Sequence, residues 1–213
     1  AEFLDAEVRT IEEIYQQLEE TGVVLRRGGL IRITPDVLAD HILHDACVAN
    51  RGNSTGFAQE VYNQFSERAA KRLLPNLAEL DWRLKQSDEK SPSVLQTIWG
   101  KIEGQFDEAD WYERRDILEQ VREAARYLPR RALTLAEQAI HQSVEVEDEH
   151  FDGFVESKIA REITEILHRV GLSLAFLPRS LQLLWEMTQD DHLQTSQKAH
   201  SKLSDIAEYG RWK

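Results

Sequence analysis

The stretch VVLRRGGLIRITPDVLADHIL, residues 23–43, predicts a β-hairpin that leads directly into a helix. Residues 23–26 and 30–33 read as two short strands, and Gly28-Gly29 supplies the positive φ that a tight turn between them requires. Thr34-Pro35-Asp36 then predicts a helix start, because it joins a hydroxyl N-cap, a first-turn proline and an acid near the positive helix end. Such a unit can bind DNA, hold a nucleotide or simply cover a core.

The residues before the hairpin predict an amphipathic helix over 7–20. Its apolar side chains recur at helical spacing: Val8, Ile11, Ile14, Tyr15 and Leu18. Gly22 stands where a C-terminal cap is expected. The helix after the hairpin is predicted to continue to about Asn50, where the polar NRGNSTG stretch forms the clearest break in the chain. We therefore expect a first unit over 1–50 and a second over 51–213.

The second unit is predicted to be entirely helical, with short polar connections and no strand. Its expected helices are 57–71, 75–87, 92–103, 109–127, 129–143, 154–170, 178–189 and 193–209. The fold class that follows is mainly α: a helix, hairpin and helix, and then an array of helices.

Three Leu-Pro pairs suggest that this array is a repeat. Pro75, Pro129 and Pro178 recur with a period of about 50 residues, which is typical of HEAT-like or armadillo-like helical hairpins. Each proline is expected in the first turn of a helix, where its missing N–H does no harm. Trp82 and Trp185 follow their prolines at the same distance, so we expect both to be largely buried at equivalent positions. Alternatively, Leu-Pro is simply a frequent helix start.

Composition restricts the class of protein. The 213 residues carry a formal net charge of -12, which argues against a general surface for nucleic acid or anionic membranes. No apolar run approaches the roughly 20 residues of a membrane span. Cys47 is the sole cysteine, which excludes an intramolecular disulfide and fits a reducing cytoplasm.

The candidate chemical sites are weak. His41, His44 and Cys47 are zinc-type ligands, but steps of three residues drift around a helix, and a small buried cysteine beside two surface histidines is the preferred interpretation. Asp148, Glu149 and His150 fall in an acidic stretch that is expected to be a solvated loop. The sequence has no phosphate-binding loop and no nucleophile elbow, so we expect no cofactor, metal or catalytic residue in this chain.

Helix, hairpin and helix also match the second half of a winged-helix fold. The helix over 7–20 would take the recognition position, and Arg26, Arg27 and Arg32 would be the wing residues that contact a partner. That helix carries five glutamates, however, and phosphate would repel it. We therefore expect a packing module rather than a DNA-binding one.

The run LEETGVVLRRGGLIRITPDVLADHIL, followed by YLPRRALTLAEQAI and SLQLLWEMTQDD, resembles the segment after the ATPase core of bacterial STAND-type NTPases. The resemblance implies a P-loop domain upstream that binds ATP or ADP with magnesium, and a helical-repeat sensor downstream. In NB-ARC relatives a Met-His-Asp triplet senses the nucleotide phosphate; the corresponding residues here are Thr34-Pro35-Asp36. Asp36 keeps the switch position, whereas Pro35 cannot replace the histidine.

The expected function is that of a non-catalytic regulatory segment of a larger cytoplasmic signalling or defence NTPase. Its partners would be its own upstream P-loop domain and a protein ligand on the helical-repeat surface, with no nucleic acid and no membrane. The main alternative is a winged-helix transcription regulator with a helical ligand-sensing or dimerisation domain. A weaker alternative is a helical enzyme.

Overall fold

The chain begins with a helix, a two-stranded hairpin and a second helix, as its sequence predicts. A computed structural model describes residues 5–27, 30–34, 36–49, 53–88, 91, 93–142, 149–189 and 193–211. Helix α1 spans Val8–Glu20, strands β1 and β2 span Val24–Arg27 and Leu30–Ile33, and helix α2 spans Asp36–Cys47. The Gly28-Gly29 turn lies outside the described residues.

Gly22 ends α1 in the way that the sequence predicts. Its φ is +74°, a left-handed conformation that glycine adopts without strain. The Gly22 amide donates to the carbonyl of Glu19, and the Val23 amide donates to that of Leu18. These two bonds form a Schellman motif, which satisfies carbonyls at the helix end and turns the chain into β1.

The hairpin is antiparallel, and its register decides which side chains share a face. Val24 pairs with Ile33 and Arg26 with Ile31, while Leu25 pairs with Arg32. Because side chains alternate along a strand, Val24 and Arg26 project from the opposite face to Leu25. Val24 is buried, and β1 packs against α1.

Seven further helices follow in the described chain. They are α3 Phe57–Ser87, α4 Gln96–Glu108, α5 Trp111–Ala124, α6 Pro129–His141, α7 Glu149–Gly171, α8 Leu177–Thr188 and α9 Leu193–Arg211. Helix α7 packs against α5, α6, α8 and α9, while α3 packs against α2, α4 and α5. The described chain is therefore mainly helical, and its hairpin forms a two-stranded sheet.

Helix α3 corrects the prediction of separate helices over 57–71 and 75–87. It is continuous, and Pro75 lies inside it rather than at a helix start. A proline in a helix removes one hydrogen bond and strains the turn before it. Here the fully buried Leu74 and Ala78 and the nearly buried Leu77 lie around the proline, and their packing holds the helix together through that position.

The other two Leu-Pro pairs do begin helices, but the expected burial of the tryptophans is wrong. Pro129 and Pro178 lie in the first turns of α6 and α8. Trp82 is 43 % exposed and Trp185 is 59 % exposed. Neither ring fills a continuous core between stacked units, and a HEAT-like repeat is not established by these helices.

One apolar core connects α2 to the helices that follow. It includes the fully buried Cys47 of α2, together with residues of α3 to α9. Gly171 lets the end of α7 approach its neighbours closely, because a Cβ there would lie 3.2 Å from the Cδ1 of Ile206 and 3.3 Å from the Cβ of Ser180. The core therefore contains residues from both sides of position 50, and the division into units over 1–50 and 51–213 stays a prediction.

Candidate functional site

The apolar face of α1 forms an exposed surface in the part of the chain that the structure describes. This helix is strongly amphipathic, yet none of its residues is buried by the described chain. Val8 is 60 % exposed, Ile14 is 53 % exposed and Leu18 is 37 % exposed. A stripe of large apolar side chains at helical spacing normally faces a core. In α1, Val8, Ile14 and Leu18 face solvent, while Ile11 and Tyr15 are partly covered.

An open groove runs between α1 and the hairpin. Its volume is about 630 Å³, and it is lined by Ile11, Glu12, Tyr15, Gln16, Glu19, Arg26 and Ile31. Ile31 is 60 % exposed, so the strand side of the groove is also apolar and accessible. The Tyr15 hydroxyl oxygen is buried and has no hydrogen-bond partner among the described residues.

The three predicted wing arginines do not share one position. The Arg26 guanidinium lies 5.1 Å from the centre of the Tyr15 ring, and its Nε lies 3.8 Å from a Glu19 carboxylate oxygen. Arg32 is exposed on the opposite face of the hairpin. The side chain of Arg27 lies outside the described residues. Arg26 therefore contributes to the groove, and a wing contact by the three together remains a prediction.

The predicted switch position lies at the start of α2. Asp36 is the first residue of this helix, but its side chain and Pro35 lie outside the described residues. The Thr34 hydroxyl donates a hydrogen bond of 2.9 Å to the Gly22 carbonyl, which ties the end of β2 to the end of α1. A switch role for Asp36 remains a prediction.

Helix α2 is linked to α3 by a chain of charged and polar groups. Arg83 donates to Asp40 of α2 at 2.5 Å and to Glu79 at 2.6 Å. The hydrogen bond to Asp40 raises the pKa of Arg83. Glu79 also accepts a hydrogen bond of 2.7 Å from the Tyr127 hydroxyl. The orientation of α2 is thus coupled to α3 and to the turn that precedes α6.

A second cavity lies at this junction, with a volume of about 490 Å³. Its lining residues come from α2 and α3: Ala39, Asp40, Leu43, Asn76, Glu79, Leu80 and Arg83. The Arg83 guanidinium already has two carboxylate partners here. The charged groups that line the cavity therefore pair with one another at the contact between α2 and α3.

The histidines and cysteine of α2 do not converge. Cys47 is fully buried, as the preferred interpretation predicted, and burial raises the pKa of its thiol. His44 lies at the surface with its Nδ1 3.1 Å from a carboxylate oxygen of Asp45, and His41 is exposed. No group of three metal-ligating side chains occurs in the part of the chain that the structure describes.

The acidic stretch before α7 is mostly outside the described residues. Asp148 belongs to the undescribed 143–148 segment, while Glu149 and His150 form the first turn of α7. The backbone thus places these two residues in a helix rather than in the predicted loop. The side chains of Glu149 and His150 lie outside the described residues, so the solvent exposure of this stretch stays a prediction.

A network of ion pairs connects α3, α5 and α7 away from the groove. Arg122 donates to Glu162 at 2.7 Å across the α5–α7 contact. Glu123 accepts from Arg169 of α7 at 3.1 Å, and Lys71 of α3 lies 2.8 Å from Glu119. Burial raises the pKa of Glu162, while the Arg122 charge opposes that shift.

A lysine and a serine form a comparable contact between α7 and α9. Lys198 Nζ donates to the Ser157 hydroxyl at 2.7 Å and to its carbonyl at 2.6 Å. Burial lowers the pKa of Lys198. Because Ser157 is 7 % exposed and the lysine also holds its backbone, the pair joins two helices and does not present a nucleophile to solvent.

Sequence reasoning missed the groove and the α2–α3 junction. The amphipathic pattern of α1 could be seen in the sequence, but the sequence does not show that the described chain leaves Val8, Ile14 and Leu18 exposed. The Glu79–Arg83 pair was detectable from its i, i+4 spacing. Asp40 is far from both in sequence, and no local signal indicates its contact with Arg83.

No known protein family, curated protein or solved structure matches the chain. Within the described ranges, none of the helices has the length and apolar character needed to cross a membrane.

Proposed function

We propose that the chain is a non-catalytic relay module, which receives a protein partner on α1 and the hairpin and transmits its position to the helical region. The observation that carries this proposal is the apolar face of α1, a helix without one buried residue in the described chain. Contiguous apolar surface of this kind marks interaction sites in soluble proteins.

The length of α1 strengthens the case for a partner. It has 13 residues, and isolated helices shorter than about 12–15 residues are only marginally stable in water. Most helical stability comes from packing an amphipathic face against another element. The hairpin covers part of that face, and a partner that covered Val8, Ile14 and Leu18 would supply the remaining burial.

The connectivity of the chain supports the proposed relay. The hairpin leads directly into α2, which packs on α3 and shares the Asp40–Arg83 contact with it. Cys47 at the end of α2 is part of the core of the helical region. A partner that moved α1 and the hairpin would thus act on α2 as a rigid helix with one end anchored in that core.

We further propose that the parent protein is a cytoplasmic STAND-type signalling or defence NTPase, with a P-loop domain upstream as the partner of α1. The resemblance of residues 18–43 and of the Leu-Pro helices supports this assignment. The transcription-regulator alternative is weaker, because Arg26 is engaged with Tyr15 and Glu19 and the candidate recognition helix is acidic.

The encoding reading frame provides the first test. A Walker A sequence upstream of residue 1 in the same frame is the expected result, and its absence would contradict the proposed parent. The purified chain should show no saturable ATP binding by calorimetry, since it has no phosphate-binding loop. Micromolar ATP binding by the chain alone would contradict a relay role without nucleotide chemistry.

The relay itself is tested by adding the upstream domain in trans. Its binding to the chain should weaken when Ile14→Ser removes an exposed apolar contact from α1. Leu174→Ser is the matched control, because Leu174 is 85 % exposed and lies between α7 and α8. Equal binding of both variants would contradict the assignment of α1 as the docking surface.

A further inference from the structure

The chemistry of the α1 groove indicates what kind of partner fits it. Each wall carries an exposed or partly exposed isoleucine, Ile11 on the helix and Ile31 on the strand, together with the charged Glu12, Glu19 and Arg26. Beyond the groove, Val8, Ile14 and Leu18 extend the apolar surface along the whole helix. A straight stripe of this length matches the apolar face of another helix, as in helix-in-groove recognition.

The charged groups of α1 are mainly acidic, and Arg26, which lines the hairpin side of the groove, lies 3.8 Å from a carboxylate oxygen of Glu19. Residues 7–20 hold five glutamates against the single Arg9, a formal charge of -5 + 1 = -4. Arg9 is already paired, because its Nε lies 2.9 Å from a Glu13 carboxylate oxygen. Glu12 lines the groove and takes part in no ion pair with any described residue. The surface thus offers carboxylates to an incoming cation.

The same charges disfavour two other occupants. A second copy of this chain would bring one acidic α1 against another, and like charges across an interface are unfavourable. Anionic lipid headgroups would be repelled as well, since amphipathic helices that bind them carry basic residues on the polar face.

We propose that the exposed apolar face of α1, beside the groove to the hairpin, binds an amphipathic helix of another protein domain, whose apolar stripe is flanked by lysine or arginine. This assignment rests on the proposed interaction role of α1, but it does not require the parent to be an NTPase. The basic flank would meet Glu12, and the apolar stripe would cover Ile14 and its neighbours.

The probe is a synthetic 13-residue helix, equal in length to α1, with a leucine stripe and lysine flanks. A lactam bridge between residues i and i+4 keeps it helical, because a free peptide of this length is marginal. One control peptide carries glutamate in place of the lysines. The other has the same composition as the probe in a scrambled order, so that leucine and lysine no longer segregate.

Binding to the full chain is measured by calorimetry and by amide chemical shifts at two salt concentrations. The lysine-flanked peptide should bind at least about tenfold more tightly than either control peptide. Its shifts should concentrate in α1, β1 and β2, and its affinity should fall as salt screens the charges.

Two variants test the apolar and the charged contribution separately. Ile14→Ser should weaken binding by about tenfold, the effect of removing one central interface side chain. Glu12→Gln should weaken it less and reduce its salt dependence. Both residues are exposed, so the chain should remain folded, and Leu174→Ser should bind as the wild type does.

Several outcomes would overturn the assignment. Equal binding of the scrambled peptide, with shifts spread over the chain, would mean general attraction of cations to a protein of net charge -12. A dimer that Ile14→Ser dissociates would identify a second copy as the occupant. Protection of α1 by anionic vesicles would identify a lipid surface. The absence of an upstream Walker A sequence would contradict the proposal that the parent protein is an NTPase, but it would not affect the peptide-binding result.

Discussion

Glu162 of α7 is held between two helices by the guanidinium of Arg122, and its side chain is 9 % exposed. Burial raises the pKa of its carboxyl above the ordinary value of 4.5 although Arg122 opposes the shift. The folded chain therefore favours the neutral form more than the unfolded chain does. Ionisation of this residue reduces the free energy of unfolding as pH rises through that raised pKa.

The unfavourable ionisation of Glu162 predicts that substitutions of Glu162 and of Arg122 change the free energy of unfolding by different amounts. Glu162→Gln keeps the shape and removes the buried charge, so the free energy of unfolding at pH 7 should stay within about 1 kcal/mol of wild type or rise. Arg122→Gln leaves the carboxylate without its main partner and should cost about 3–5 kcal/mol. Urea denaturation measures both, and equal losses would contradict this account.

His168 predicts a different dependence on pH. Burial lowers its pKa from 6.5, and the nearby Lys202 acts in the same direction, while Glu165 and Asp205 oppose it. Because the folded state binds this proton less readily, the stabilisation is complete above about pH 6.5 and is lost as pH falls towards the lowered pKa.

The check is a comparison of His168→Gln with wild type. Between pH 6.5 and 5 the free energy of unfolding of the wild type should fall, and the variant should lose part of that fall. His41→Gln, at an exposed position on α2, is the control and should follow the wild type. An unchanged slope in the His168 variant would show that other groups cause the acid sensitivity.

At the scale of elements, α2 is attached to the helical region by burial more than by charge. Cys47 is fully buried, whereas the side chains of Arg83 and Asp40 are 47 % and 51 % exposed. Cys47→Ser should therefore cost about 1–3 kcal/mol, since it places a hydroxyl in an apolar site. Asp40→Asn should cost only about 0.2–1 kcal/mol, which is usual for exposed ion pairs.

Thermal denaturation of the two variants, with Cys47→Ala as the volume control, separates these contributions. The alanine variant leaves a small cavity but buries no polar group, so it should lie between wild type and the serine variant. A larger loss for Asp40→Asn than for Cys47→Ser would mean that the ion pair, and not the core, fixes α2.

The elements near the hairpin were predictable because their signals are local. Gly22 ends α1 by its own conformation, and the strands follow from residues within a few positions of one another. Pro75 misled the prediction, because the packing of Leu74 and Leu77 overrides the usual effect of a proline. This packing involves residues that are distant in sequence, so the residues next to Pro75 do not show whether the helix continues.

The candidate site was predictable only in its parts. The amphipathic pattern of α1 and the position of Arg26 in the hairpin could be seen in the sequence, but the pattern predicted a covered helix. The groove arises because the hairpin packs beside the apolar face and leaves Ile14 and Leu18 exposed. The exposure of Trp82 and Trp185 could not be predicted for the same reason. Residue spacing shows which face of a helix a side chain lies on, but it does not show whether another element packs against that face.

At the scale of the whole molecule, buried surface is distributed unevenly. Val24 is the one buried residue between positions 5 and 46 among those whose side chains the structure describes. In contrast, α7 contributes Ile166, Leu167 and Val170, all fully buried, and packs on four other helices. Local stability follows the density of buried apolar contacts. The hairpin region and the α5–α7 core are therefore expected to open with very different free energies.

Native-state hydrogen exchange in low urea measures this difference. Amides of α1 and the hairpin should exchange through openings of about 0–3 kcal/mol, because little apolar surface is exposed when this unit detaches. Amides around Ile166 and Leu167 should exchange only with global unfolding, which for a domain costs about 5–15 kcal/mol. The α2 amides near Cys47 should follow the core, since that residue is buried in it. A single common opening for α1 and α7 would mean that the hairpin region is already fixed without a partner, and the relay would then lack a mobile element. A protected α1 that appears only on addition of the lysine-flanked peptide would instead identify the docked helix as the missing part of its packing.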